Sequence, residues 1–243
     1  MSQPLISLIT PTYNRRFFMP QAIRNFMSQR YPKNKIEWII LDDGEDKIYD
    51  LVKDIPEVRY YSSDTKMKLG KKRNFLNNKA KGRIIIAFDD DDWYGKDYVS
   101  YMTKLLMSSP RLIAGSSEIY NYFVDLEQIV IFGPYGPNHS CNGMICYKKE
   151  YLKTHSYENE KKAQEEPGFT NRFTEPMVQV VNSYKYNLAI SHTSNSFDRR
   201  MNLDEDNPTC SITKMKLRNI IRDKKILQFY RSLKAKLYSS FDE

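Results

Sequence analysis

Arg83-Ile84-Ile85-Ile86-Ala87-Phe88-Asp89-Asp90-Asp91-Asp92-Trp93-Tyr94 decides how this chain folds. An isoleucine-rich run ends abruptly in four consecutive aspartates. The apolar part predicts a strand buried on both faces, as in a parallel sheet. The aspartates then fall at its carboxyl end, where open α/β sheets bind ligands. Four neighbouring carboxylates repel one another in a partly dry cleft, so a cation is expected beside them. Hard oxygen donors of this kind suit Mg²⁺ or Mn²⁺. A solvated acidic turn is the other common use of such a run.

Outward from that strand, the first hundred residues alternate strand and helix. A buried strand over 5–10 is stopped by Pro11-Thr12-Tyr13-Asn14. A helix over 17–29 puts Phe18, Ala22, Ile23, Phe26 and Met27 on one side. A second strand over 36–41 ends at Asp42-Asp43-Gly44. A short helix over 47–53, a third strand over 58–61 and a helix over 68–79 lead into the isoleucine strand. Each crossover is long enough for parallel pairing. The predicted class is α/β, a mixed but mainly parallel, Rossmann-like sheet flanked by helices. Acidic or polar residues close strands one, two and four, the placement a nucleotide site needs. The chain has neither G-x-G-x-x-G nor a P-loop sequence, which removes support for a dinucleotide oxidoreductase or a P-loop ATPase.

The second half is less regular. A helix over 96–107 precedes strands over 112–115, 118–124, 129–132, 143–147 and 188–192. Residues 157–166 are highly charged and are expected to be mobile. Residues 212–241 read as a basic amphipathic helix or helical pair, striped by Ile220, Ile221, Leu227, Tyr230, Leu233 and Leu237. The best boundary is Asp204-Glu205-Asp206-Asn207-Pro208. It divides a main domain, 1–207, from a basic helical tail, 208–243.

With 243 residues, 40% hydrophobic and 28% charged, the composition is that of an ordinary globular protein. No apolar run approaches a membrane span. The start of the chain lacks a basic segment leading into an apolar core, which predicts residence in the cytosol. Cys141, Cys146 and Cys210 stand at no metal-ligand spacing and read as reduced thiols. Residues 212–243 carry nine basic and three acidic side chains, so the tail holds most of the net charge of +8. That points to an anionic surface near the C-terminus and says little about nucleic acid, which is not an expected partner.

Pro11-Thr12-Tyr13-Asn14-Arg15, Asp42-Asp43-Gly44 and Asp89-Asp90-Asp91-Asp92 stand in order at three strand ends. Together they resemble the family-two glycosyltransferases of the GT-A fold. The resemblance is good over the first hundred residues and looser to about residue 200. It implies an inverting, metal-assisted transfer of sugar from a nucleoside diphosphate, UDP first, to a hydroxyl acceptor. Residues 1–100 would bind the donor and residues 101–207 the carbohydrate acceptor. Pro11, Tyr13 and Asn14 would border the base, and Asp43 would hydrogen-bond its edge. Arg73 would lie over the base or reach the diphosphate. Asp89 or Asp90 would contact the ribose, Asp91 would bind Mn²⁺ or Mg²⁺, and Asp92 would hold the loop. His192, closing a late strand, would complete the metal site, or is an ordinary capping histidine. Glu166 is the favoured base, with Glu165 and Glu175 as alternatives, or both glutamates of the pair belong to a solvated run.

Other features keep two readings. Trp93 and Tyr94 stack on a sugar ring or pack the acid loop. His139 and Asn142 line a sugar pocket. Lys71 and Lys72 are phosphate contacts or a solvated helix face. The tail docks its stripe on the catalytic domain or a second subunit, or rests on a membrane surface. A sugar nucleotidyltransferase would want a glycine-rich loop after the first strand, where Pro11-Thr12-Tyr13-Asn14 has none. A carbohydrate- or nucleotide-binding protein on a degenerate transferase fold is the remaining alternative.

Overall fold

The computed structural model describes residues 3–204 and 206–238. The expected helical run to Phe241, the acidic Asp242 and Glu243, and Glu205 at the proposed boundary lie outside the described residues. In chain order the elements are β1 (Ile6–Thr12), α1 (Met19–Ser28), β2 (Ile36–Asp42), α2 (Tyr49–Val52), β3 (Val58–Ser62), α3 (Leu69–Lys79), β4 (Ile84–Ala87), β5 (Trp93–Tyr94) and α4 (Tyr98–Met107). There follow β6 (Ile113–Gly115), β7 (Ile119–Phe123), β8 (Gln128–Phe132), β9 (Cys146–Lys148), α5 (Glu166–Phe169), β10 (Met177–Gln179), β11 (Asn187–Ser191), β12 (Cys210–Ile212), α6 (Leu217–Ile220) and α7 (Lys224–Tyr238).

The main sheet runs β10-β6-β9-β4-β1-β2-β3. β1 pairs in parallel with both β2 and β4, and β2 with β3. Their alternating side chains build two cores. Ile6, Leu8, Trp38, Ile40, Ile84 and Ile86 pack on α1 and α4. Ile9, Ile39, Leu41, Ile85 and Ala87 pack towards Leu76 and Ala80 on the α3 side. The isoleucine strand is therefore buried on both faces, as its composition predicts; each such side chain stabilises by about 1.5–3 kcal/mol as an upper figure.

β9 enters antiparallel between β4 and β6, and interrupts the parallel order. The sequence predicts this strand over 143–147. The structure delays it to Cys146, because Asn142–Met144 form a tight 3-10 turn at the cleft. A smaller sheet, β12-β8-β7-β11-β5, stands beside the first. Its edge strand β12 pairs antiparallel with β8 and is not visible in the polar sequence around it.

The tail's apolar stripe is covered by the chain itself. Leu217, Ile220, Ile221, Ile226, Tyr230 and Leu233 join Phe18, Trp93, Tyr122 and Ile190 in one cluster. Phe229 stacks on Phe17 at 5.5 Å. No helix among the described residues is long and apolar enough to cross a membrane.

A candidate donor and acceptor cleft

Parallel pairing puts the carboxyl ends of β1, β2 and β4 side by side, and an open cleft of about 1260 Å³ lies across them. Pro11, Tyr13, Asn14, Asp43, Arg73, Asp89 to Asp92, Glu165 and Glu166 all line it. Asn14 turns the chain with φ +53°, a conformation Asn tolerates, and its Oδ1 accepts from the Glu45 N–H at 2.7 Å. A Cβ on Gly44 would lie 2.5 Å from Asn14, so only glycine lets the β1 and β2 loops cross this closely.

The four aspartates have different surroundings. Asp91 Oδ2 lies 3.1 Å from His192 Nε2, accepts from Asn195 Nδ2 at 3.1 Å, and faces Arg15 at 3.6 Å. Burial pushes its carboxyl up, but the His192 hydrogen bond and the Arg15 charge prevail and hold it at about 2. Asp92 Oδ1 accepts from the Ile190 N–H at 3.0 Å, and the Asp92 carbonyl accepts from Asn25 Nδ2 and the Tyr230 hydroxyl. Asp92 thus fastens the loop to β11, α1 and α7. Asp89 lies 3.5 Å from Arg73 Nη2. Asp90 Oδ2 is buried with no partner among the described residues, and burial and the Asp91 charge raise its pKa to about 7.

Arg73, expected over the base or at the diphosphate, lines the cleft and is engaged by the protein's own carboxylates. Its guanidinium is buried, with Nε donating to Glu165 Oε1 at 2.6 Å and Nη2 facing Asp89. Asp43 is likewise engaged: Oδ1 accepts from Lys72 Nζ at 2.5 Å and Oδ2 from the Met67 N–H at 2.5 Å. Lys72 is 5% exposed, which removes the solvated-face reading for it, while Lys71 is exposed. Lys66 Nζ sits 3.8 Å above the Tyr13 ring.

Glu165 and Glu166 divide their work. Glu165 also accepts from Asn142 Nδ2 at 2.9 Å and is committed to the interior. Glu166 opens α5, and its Oε1 accepts from the Asn142 N–H at 3.0 Å, a donor from the neighbouring turn. Burial and the Glu165 charge raise the Glu166 carboxyl above its ordinary range. Tyr157, expected in a mobile run, is 2% exposed; its ring stacks on Phe169 at 4.0 Å and its hydroxyl donates to Asn142. The charges around it hide this anchor in the sequence. Glu175 pairs with His155 at 3.1 Å and does not line the cleft.

Tyr94 donates to the Gly143 carbonyl at 3.1 Å and accepts from the Asp89 N–H, so it packs the loop. His139 lines the cleft between Tyr135 and Phe173, and burial lowers its pKa to about 4, leaving it neutral near pH 7. Arg199 escapes the sequence reading, because nothing in the polar run 193–207 distinguishes it. It lines the same cleft beside Cys141; the charges of Asp92 and Glu166 outweigh its desolvation and keep it cationic.

Among the described residues no cluster of three or more His, Cys, Asp and Glu side chains forms a complete metal cage. Asp91 and His192 supply two adjoining donors, and the buried, unpartnered Asp90 Oδ2 adds uncompensated acceptor capacity. Such a partial set fits a divalent ion that takes its other ligands from phosphate and water. Imidazole beside carboxylate favours Mn²⁺ over Mg²⁺.

The family model described as Glycosyl transferase family 2 matches residues 7–166. An uncharacterised glycosyltransferase of Haemophilus influenzae is 30% identical over 133 residues, 52% of this chain and 51% of that one. Glycosyltransferase GlyA of Streptococcus pneumoniae is 27% identical over 168 residues, 68% of this chain and 23% of that one. The chain thus spans about half or less of the length of these curated relatives. Among solved structures, Staphylococcus aureus TarS 1–349 in complex with UDP-GlcNAc aligns with TM-score 0.62 and 17% identity, over 79% of this chain and 60% of that one. The mannosyltransferase PcManGT from Pyrobaculum calidifontis, in complex with GDP-Man and Mn²⁺, aligns with TM-score 0.64 and 14% identity, over 96% and 70%. Both likenesses support the GT-A fold.

Proposed function

The chain belongs to glycosyl transferase family 2, and on that premise we propose that it transfers a sugar from a nucleoside-diphosphate sugar to a hydroxyl of a carbohydrate acceptor, with inversion and with a divalent ion. One observation carries the proposal: a single cleft at the strand ends brings Asp91, beside His192, together with Glu166, whose Oε1 accepts from the Asn142 N–H. Asp91 is held low while Glu166 is raised, as Asp89, Asp90 and Asp92 also are, so it is placement at the start of α5 that singles out Glu166 as the proton acceptor.

Asp91 and His192 are the residues to hold Mn²⁺ or Mg²⁺, and the bound ion supplies Lewis-acid stabilisation of the leaving diphosphate. Pro11, Tyr13, Asn14 and Asp43 border the base, and Asp89 and Asp90 the ribose. Uridine diphosphate is the first donor to try. Glu166 accepts the acceptor hydroxyl's proton as its oxygen attacks the anomeric carbon. Attack on the side opposite the diphosphate inverts that centre. Arg73 holds Glu165, and Asn142 holds both glutamates, so the base is fixed before substrate arrives.

Residues 1–100 then serve the donor, 101–207 the acceptor, and 208–243 form a supporting tail. The exposed Arg222, Lys224, Lys225 and Arg231 support a peripheral contact with an anionic surface in a cytosolic setting. Incubation with UDP- and GDP-sugars, Mn²⁺ and carbohydrate acceptors tests the reading, with anomeric configuration followed by NMR. Transfer with inversion is expected. Nucleotide binding without transfer to any acceptor would favour the degenerate binding protein.

A further inference from the structure

Arg15 stands where the acid site calls for a cation. Its Nη2 lies 3.6 Å from Asp91 Oδ2 and its Nη1 3.5 Å from His192 Nε2, so the guanidinium borders both proposed metal donors. Arg15 and Asp91 are 11% and 13% exposed. The guanidinium also donates to the Ser194 carbonyl and lies 5.5 Å from the centre of the Phe18 ring. His192 stacks on that same ring at 4.6 Å.

These contacts crowd the Nε2 edge of the imidazole, the edge that faces Asp91. The Ser194 N–H donates to His192 Nδ1 at 3.2 Å, which requires a lone pair there. Nε2 faces Asp91 Oδ2 at 3.1 Å, and also the donors Asn195 Nδ2 at 3.2 Å and Arg15 Nη1 at 3.5 Å. Coordination through Nε2 needs the ring proton on Nδ1. That proton would then face the Ser194 N–H, donor against donor, and the turn over 193–195 must reorient.

We propose that Arg15 is an exchangeable occupant of the metal position, and that it latches the turn carrying Ser194. The proposal rests on the reading of Asp91 and His192 as metal ligands. With Arg15 in place, Asp91 has its counter-charge and the Ser194 peptide is tied down. When the guanidinium leaves, the Ser194 carbonyl is freed and the turn can rotate. The freed turn then accommodates a ring proton on Nδ1. Both donors are released by one movement. A nucleoside diphosphate favours it twice, by offering Arg15 another anionic partner and by supplying oxygen ligands.

Mn²⁺ binding tests this, followed by electron paramagnetic resonance and calorimetry with Mn²⁺ alone and with UDP. Arg15→Gln and Arg15→Ala are compared with the wild-type protein, the first retaining more of the packing. Each variant is expected to bind Mn²⁺ alone on the order of tenfold more tightly, and to gain less from UDP. With Zn²⁺ as a diamagnetic probe, ¹⁵N-histidine spectra should show the metal-bound His192 ring with its proton on Nδ1. Equal or weaker Mn²⁺ binding by both variants, or a Zn²⁺-bound ring with no proton on Nδ1, would overturn the exchange. Asp91→Ala separates the two levels of the argument. If it binds Mn²⁺ as the wild type does, the ligand assignment itself fails. If it loses binding while the Arg15 variants match the wild type, the exchange alone fails.

Discussion

Arg73 Nε donates to Glu165 Oε1 at 2.6 Å, and both side chains are buried, 4% and 3% exposed. This pair ties α3, behind the donor loops, to the residue that precedes the proposed base. Removing Glu165 leaves the buried Arg73 with Asp89, at 3.5 Å, as its remaining acidic partner, so the cost is at most about 3–5 kcal/mol. Glu165→Ala should therefore lower the denaturant midpoint sharply. Glu166→Gln should leave that midpoint nearly unchanged and abolish turnover. If the two variants exchange these phenotypes, Glu165 is the base and the division is wrong.

Asp91 and Asp92 should separate in the same way. Asp92→Ala strands the Ile190 N–H that its carboxylate accepts at 3.0 Å. A buried donor left unsatisfied costs about 1–3 kcal/mol. Asp91→Ala should remove the response of activity to Mn²⁺, while Asp92→Ala loses mainly thermal stability. Equal loss of the metal response in both would show that the loop acts as one unit.

The pH profile should carry the mark of Glu166. Burial and the Glu165 charge raise its carboxyl above 4.5. A base must be ionised, so the acidic limb of kcat/KM should lie above the ordinary carboxylate range. The folded state holds this proton more tightly than the unfolded chain does. Stability from this group is therefore present below the unfolded pKa and is lost as pH rises through the folded one. In Glu166→Gln that part of the stability slope should vanish in chemical denaturation across pH.

The tail should matter for the acid loop as well as for the core. Leu233 is fully buried, and Leu→Ala at such a site costs about 2–5 kcal/mol. The Tyr230 hydroxyl donates to the Asp92 carbonyl at 2.8 Å, and Tyr230→Phe should cost about 1 kcal/mol. Removal of residues after Pro208 should lower the melting temperature markedly. A truncated protein of unchanged stability that loses only liposome binding would assign the tail to a membrane surface instead.

The first half of the fold is legible in the sequence, because burial on both faces writes itself as unbroken apolar runs such as Ile84-Ile85-Ile86. The strand-end position of Asp91 follows from that run. The adjoining place of His192 follows in part, from an apolar strand that ends at it. Arg73 shows the limit. Its basic neighbours Lys71 and Lys72 suggest a phosphate-facing helix, whereas its partner Glu165 lies 92 residues away and turns it inward. Tyr157 and Arg199 are hidden for a related reason: a polar loop has no period, so an anchor within it resembles its solvated neighbours. β12 is too short, and too weakly apolar at an exposed edge, to announce itself.

Calorimetric titration of UDP into the protein, with and without Mn²⁺, in the wild type and Asp91→Ala, tests the central claim most directly. The account predicts that Mn²⁺ strengthens UDP binding to the wild type and has no effect on the variant. UDP and GDP that bind neither form, or a Mn²⁺ response that survives in Asp91→Ala, would contradict it.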